Sequence, residues 1–259
     1  MNPEKAMLTP PVEEGKCGIW TYHEWAEADS TNDLARSFPH HHIAVCRVQH
    51  SGRGRFNRPW IGAEGGLWAS FNLPLESPLA APTLPNWGHL PLVAGLALLS
   101  MCRAFGLESA RLRWPNDLLV GTRKLAGILV VRPSANLAII GIGINIFNDV
   151  VSIADQVATP PVRLADLLTD CPCIHDVMAE LAKHLEQTFR KFAAGGLPAL
   201  RTELEAAWQG TRPVCLETDE ENIHGMFMGV DDEGNPVLSL SDGQTMTVSA
   251  LRVNRLIES

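Results

Sequence analysis

The stretch Gln49-His-Ser-Gly-Arg-Gly-Arg-Phe-Asn-Arg-Pro-Trp60 constrains this chain more than any other. Before it, Ile43-Ala-Val-Cys-Arg-Val48 alternates and is β-branched, which predicts a strand. After it, Gly65-Gly-Leu-Trp-Ala-Ser-Phe-Asn-Leu73 predicts another. A loop of glycines and arginines, closed by a tryptophan, therefore hangs between two pieces of sheet. Gly52 and Gly54 let the backbone take positive φ and approach a ligand closely. Arg53, Arg55 and Arg58 present planar forks suited to phosphate or carboxylate oxygens. The formal charge is −8, yet three of the 21 basic residues crowd onto this loop. Like charges so placed repel one another unless an anion sits among them. The competing reading is a solvated basic turn.

Other segments follow the same logic. Residues 1–18 read as a loose tail, and Ile19–Trp25 as a strand. Ser30-Thr-Asn-Asp33 starts a helix to about Ser37, with short polar side chains suited to N-capping. His40-His-His42 reads as a solvated turn and Pro74–Trp87 as irregular. Leu90–Phe105 predicts an apolar helix packed on the sheet. Strands at Arg111–Trp114 and Leu118–Val120 flank a Pro115-Asn-Asp turn. Gly121–Lys124 turns the chain into Leu125–Val131, and Asn136–Ile146 follows as a strand. Gly141 and Gly143 inside that strand suggest close approach of a ligand or another backbone. Leu164–Leu168, Ile174–Ala193 and Leu197–Trp208 have helical spacing. From Val214 short alternating strands, with turns near 219–222, 231–235 and 241–243, predict a small β-barrel. The expectation is an α+β chain, with a larger domain over 19–208 and a small barrel over 209–259.

Composition excludes more than it identifies. An acidic balance argues against a nucleic-acid partner. The longest apolar run, Leu90–Leu99, is too short to span a bilayer, and Met1–Gly15 has no apolar signal core. Six cysteines are scattered without a CxxC pair, which suits a reduced, cytoplasmic protein. Cys171-Pro-Cys173 with His175 lacks a second ligand pair, so a plain loop is expected there.

The arginine loop has companions in a fixed order: Ser30-Thr-Asn32 upstream, then Arg113-Trp-Pro-Asn-Asp-Leu118, Arg123-Lys-Leu-Ala-Gly-Ile-Leu129 and Gly141-Ile-Gly-Ile-Asn145. This set resembles the biotin–protein ligases, and the resemblance runs from about Trp20 to the C-terminus. It implies a class II synthetase-like catalytic domain, a mixed β-sheet flanked by helices, and an SH3-like C-terminal barrel. It implies two reactions as well. Biotin's carboxylate attacks the α-phosphate of ATP to give biotinyl-5'-AMP, and a lysine of a biotin carboxyl carrier protein then takes the biotinyl group. ATP, Mg²⁺ and biotin are the implied small molecules, with no dedicated protein ligands for the metal. Some family members carry an N-terminal repressor domain, which the tail here is too short to form. A monomer or weak homodimer is expected.

By the same resemblance, Ser30, Thr31, Asn32 and Gln49 line the biotin pocket. Gly52, Arg53, Gly54 and Arg55 cover biotin and phosphates, and Gly127 and Gly143 permit close packing. Lys124 contacts the biotin carboxylate and α-phosphate, and with Arg53, Arg55 and Asp117 forms the catalytic set. Asp117 positions the carrier lysine or helps hold Mg²⁺. Trp60 packs on adenine or steadies the closed loop, Asn116 lies by the nucleotide, and the Asn145 amide bonds the adenine edge. Arg113 stands where the family often has lysine, and Asn57 and Pro59 where glycine and a basic residue are commoner. The nearest rival is a lipoate–protein ligase or octanoyltransferase of the same fold, the latter needing a cysteine beside its lysine. A non-catalytic biotin-binding protein is the rival from another class.

Overall fold

The computed structural model describes residues 10–75 and 86–258. β1 (Glu13–Cys17) and β2 (Trp20–Ala28) form an antiparallel hairpin, and α1 (Thr31–Ala35) crosses to β3 (His42–Arg53), parallel to β2. One 3-10 turn, Arg55–Asn57, returns the chain as β4 (Pro59–Gly62), which pairs with β3, and β5 (Leu67–Pro74) then pairs with β3. After α2 (Leu90–Ala104) come β6 (Ala110–Arg113), β7 (Asp117–Val120), β8 (Arg123–Ser134) and β9 (Leu137–Ile144). The sheet order is β1-β2-β3-β5-β9-β8-β7-β6, with β4 attached to β3. One parallel pair among antiparallel neighbours makes the sheet mixed, as expected.

Side-chain alternation sorts this sheet into two faces. Leu67, Ala69, Phe71 and Leu73 of β5, with Ala138, Ile140, Ile142 and Ile144 of β9, enter one buried core with α2 and with α3 (Ile174–Gly195). The intervening residues Trp68, Ser70 and Asn72, and Ile139, Gly141 and Gly143, point the other way. On that face Trp68 and Ile139 join a smaller apolar cluster with Trp25, Leu34 and Cys46, while Ser70 is polar and Gly141 and Gly143 leave bare backbone, and the site lies there.

α4 (Arg201–Ala207) leads to a separate antiparallel sheet of β10 (Arg212–Thr218), β11 (Asn222–Val230), β12 (Pro236–Ser239), β13 (Thr245–Thr247) and β14 (Val253–Glu258). Its order, β13-β12-β11-β10-β14, is consistent with an SH3-like domain. It docks on the larger sheet through Trp114 Nε1 to Gly234 O at 3.1 Å, and through Arg111 and Arg212, which share Glu258. Among the described residues no helix is long and apolar enough to cross a membrane.

Several local expectations change. The 1–18 stretch is not all tail: Glu13–Cys17 is an edge strand, held by a Tyr22–Glu13 hydrogen bond and a His23–Glu14 contact. His42 begins β3 and stacks on His23 and Phe38 instead of lying in a solvated turn. Leu164–Leu168 supports only a 3-10 turn, Leu164–Asp166. Leu197–Trp208 opens as a 3-10 turn at Leu197–Leu200, bearing Pro198, before α4. Ser30 stands at the N-cap of α1, but its side chain makes no capping bond; its carbonyl accepts from Asp33 and Leu34. Of the Pro74–Trp87 stretch, residues 76–85 lie outside the described residues.

Candidate active site

A cavity of about 380 Å³ opens on the Gly141 and Gly143 face of the larger sheet. Its floor exists because glycine occupies two positions. A Cβ on Gly143 would stand 2.5 Å from the Trp60 indole, and one on Gly127 2.8 Å from the same ring. Trp60 thus lies flat across β8 and β9, edge-on to Trp68 at 6.0 Å between ring centroids. The Lys124 ammonium hangs 5.2 Å over its ring.

One end of the cavity is neutral and polar. Gln49 Oε1 accepts from the Thr31 backbone N–H at 2.9 Å and lies 3.2 Å from its hydroxyl. Ser70, beneath, contacts Thr31 Oγ1 at 2.8 Å and Asn32 Oδ1 at 2.7 Å. α1 is only five residues long, too short to persist alone, and this network fastens its first turn to β3 and β5.

The other end is charged. Lys124 Nζ meets Asp117 Oδ1 at 2.6 Å, and Arg113 Nη2 meets Asp117 Oδ2 at 2.5 Å while also donating to Thr159 Oγ1. Burial raises the Asp117 pKa, but Lys124 and Arg113 more than offset this and hold the carboxyl below its ordinary range. Between β7 and β8 the register slips at Leu118/Leu119, leaving Leu125 unpaired in the core and Lys124 on the site side. The Lys124 backbone is tied to residues 160–162 by bonds to Pro160 O and from Val162 N.

The arginine stretch is less of a loop than expected. β3 continues to Arg53, and Gly52 pairs with Trp60, so only residues 54–58 form the turn. Neither Gly52 nor Gly54 takes the expected positive φ; Gly52 has no room for a side chain, since a Cβ would lie 2.5 Å from the Trp60 backbone oxygen. Asn57 takes φ of 55°, as its side chain allows, and Phe56 is forced into the same left-handed region at 56°. Pro59 is tolerated because it begins an edge strand. The arginines find separate partners. Arg53 pairs with Asp33 at 2.6 Å, Arg55 reaches Val253 O of β14 at 3.4 Å, and Arg55 and Arg58 flank the Phe56 ring. Burial first, then Arg58, pulls the Arg55 pKa below its usual value.

Ser30, Thr31, Asn32, Gln49, Arg53, Gly54, Arg55, Trp60, Asn116, Asp117, Lys124, Gly127, Gly143 and Asn145 all line this one cavity; Gly52, paired with Trp60, does not. Two of the lining amides also hold partners within the protein. Asn116 Nδ2 donates to Ile128 O, and Asn145 donates to Lys124 O while accepting from Asn148, so both brace the walls. Asp117 is the sole carboxylate among the lining residues, and both its oxygens are engaged by cations. This donor set does not fit a resident magnesium ion. His175 turns to Glu24 at 2.9 Å rather than toward Cys171 and Cys173. Sequence reading missed Asn254, Arg255 and Leu256 of β14 and the Ile153–Thr159 segment, which also line the cavity. They carry no local motif and reach the site only through tertiary docking.

The biotin/lipoate A/B protein ligase family model matches residues 26–146. The biotin–[acetyl-CoA-carboxylase] ligase of Paracoccus denitrificans is 30% identical over 241 residues, covering 87% of this chain and 97% of that protein. The bifunctional ligase/repressor BirA of Bacillus spizizenii is 27% identical over 215 residues, 80% of this chain, and the chain spans 64% of that relative's length. The biotin protein ligase of Aquifex aeolicus, solved with biotin and ATP, superposes with a TM-score of 0.79 at 24% identity, covering 92% of this chain and 99% of that one. On the Paracoccus match, nearly end to end and joined to the clustering of every quoted motif around one cavity, the chain belongs to the biotin–protein ligase family.

Proposed function

We propose that this protein activates biotin with ATP and passes it to a carrier lysine. A biotin carboxylate oxygen attacks the α-phosphorus of ATP, the bond to the β-phosphate oxygen breaks, and biotinyl-5'-AMP and pyrophosphate result. The carrier amine then attacks the anhydride carbonyl, a proton leaves the nitrogen, and AMP departs. The observation that carries this reading is the cavity's polarity: a neutral hydrogen-bonding end at Thr31, Asn32 and Gln49, and a cationic end at Lys124, Arg113 and Arg55. Such an arrangement suits a small acid with a polar head, its carboxylate delivered to where phosphate charge accumulates.

In this reading Lys124 neutralises the approaching anions, held in place by Asp117, and Arg53 and Arg55 close over the adenylate and exclude water. Trp60 forms the floor between acid and nucleotide. Mg²⁺ enters with the ATP phosphates as part of the substrate. The partner is a biotin carboxyl carrier domain, the compartment the cytoplasm, and the working state a monomer or weak homodimer. Residues 19–208 form the catalytic unit, which β1 extends, and 209–259 the barrel. No cysteine is among the lining residues, which disfavours an octanoyltransferase. Biotin-dependent exchange of pyrophosphate into ATP tests the proposal. Exchange with biotin but not lipoate is expected, and comparable turnover with lipoate would overturn it.

A further inference from the structure

Ser70 lies midway along β5 on the site face, fully buried and directly opposite Gly141 of β9. The reaction as written above makes no use of it. Its neighbours on that face of β5 show what the strand does there. Asn72, two residues on, donates from Nδ2 to Ala35 O and Phe38 O, pinning the C-terminal end of α1. Ser70 pins the other end, at Thr31 and Asn32.

A hydroxyl has one proton, so Ser70 cannot serve both contacts as donor at once. Asn32 Oδ1 only accepts, which commits the Ser70 proton to the 2.7 Å contact. The 2.8 Å contact between hydroxyls then takes its proton from Thr31. Gln49 Oε1 keeps the Thr31 backbone N–H at 2.9 Å and loses only the longer 3.2 Å approach. With Asn32 Oδ1 on Ser70, the chain of protons runs from Thr31 through Ser70 to Asn32. Nδ2 remains at the cavity wall as a donor without a protein partner among the described residues.

We infer that Ser70 is a specificity-determining positioning residue: by holding Asn32 Oδ1, it presents Nδ2 to the head group of the acid. The wall then favours a head with a carbonyl acceptor, such as a cyclic urea, over an apolar ring of similar size. A site built to hydrogen-bond its substrate discriminates strongly, because the wrong substrate leaves buried polar groups unpaired. The inference rests on the biotin reading above and names the group that orients that end of the pocket.

The test is pyrophosphate exchange on Ser70→Ala, Ser70→Cys, Asn32→Ala and the Ser70→Ala/Asn32→Ala pair, with biotin, lipoate and ATP each varied. Ser70→Ala is expected to raise the KM for biotin about tenfold, the worth of one buried hydrogen bond. The KM for ATP and kcat should stay within about twofold, and the preference for biotin over lipoate should fall. Ser70→Cys keeps the volume with a poorer hydrogen-bonding group, so it should fall between, and it decides the matter if the alanine variant does not fold. Ser70→Ala added to Asn32→Ala should cost nothing further, since the serine acts through the amide. A biotin KM within about twofold of wild type, an equal rise for ATP, or additive losses in the pair would each overturn the inference. Absence of exchange by the wild-type protein would overturn the biotin reading with it, whereas exchange indifferent to Ser70 sinks this inference alone.

Discussion

Asparagine at position 117 is the most informative single change. Asp117 accepts from Lys124 at 2.6 Å and from Arg113 at 2.5 Å, so the substitution keeps the shape and leaves two cations facing each other. Two unit charges about 5 Å apart at an effective dielectric near 20 repel by about 3 kcal/mol. Breaking a fully buried pair costs about 3–5 kcal/mol, and partial exposure of Lys124 points to the lower figure. For a chain of this size that corresponds to a melting temperature lower by roughly 6–12 °C. Adenylate formation should drop about 10²-fold or more, because the lysine loses the group that aims it. Adding Arg113→Met should restore about half the stability and little of the activity. Asp117 titrates below the usual carboxylate range, so its contribution is complete above the unfolded pKa of about 3.9 and is lost only as pH falls through the lower folded value. The difference in melting temperature between wild type and variant should therefore be flat from pH 7 to 5. A variant melting within about 2 °C of wild type, with normal exchange, would refute the idea that Asp117 holds the cationic end together.

Lys124→Ala should lose about 10²-fold or more in pyrophosphate exchange while melting no lower than Asp117→Asn, because Lys124 touches the cavity rather than the core. An active alanine variant would remove the lysine from the chemistry. Residues 50–60 should gain hydrogen-exchange protection, and lose trypsin cleavage at Arg53 or Arg55, when biotin and ATP are added. Arg55 rests on one long bond to Val253 O and Arg53 on a partly exposed pair with Asp33, contacts that phosphate oxygens can outcompete. Equal protection with and without ligands would mean the hairpin is no lid.

What was legible in the chain depended on how local its cause was. Glycines at 127, 141 and 143 and the arginines at 53 and 55 announce themselves, since their type and spacing answer to a ligand or a ring directly. Most strands followed from β-branched alternation, while the mixed sheet came with the family resemblance. Hydrogen-bond direction followed from neither. The residue type of Asn145 suited a nucleotide edge but did not tell that the same amide also holds Lys124 O and Asn148. Nor did anything near Arg255 hint that β14 borders the cavity, because that depends on how two sheets dock. The strand at Glu13–Cys17 hid in a polar segment whose partners, Tyr22 and His23, lie across a hairpin.

β9 serves two masters with a period of two: isoleucines at 140, 142 and 144 fill the core while glycines at 141 and 143 clear the floor. A slip of one residue would send bulky branched side chains into the cavity and empty the core at the same stroke. The strand can therefore change by substitution at matched positions but hardly by insertion or deletion. A descendant with altered substrate choice should keep the length between Leu137 and Asn145 and vary instead at the polar wall and in the segment after Phe147.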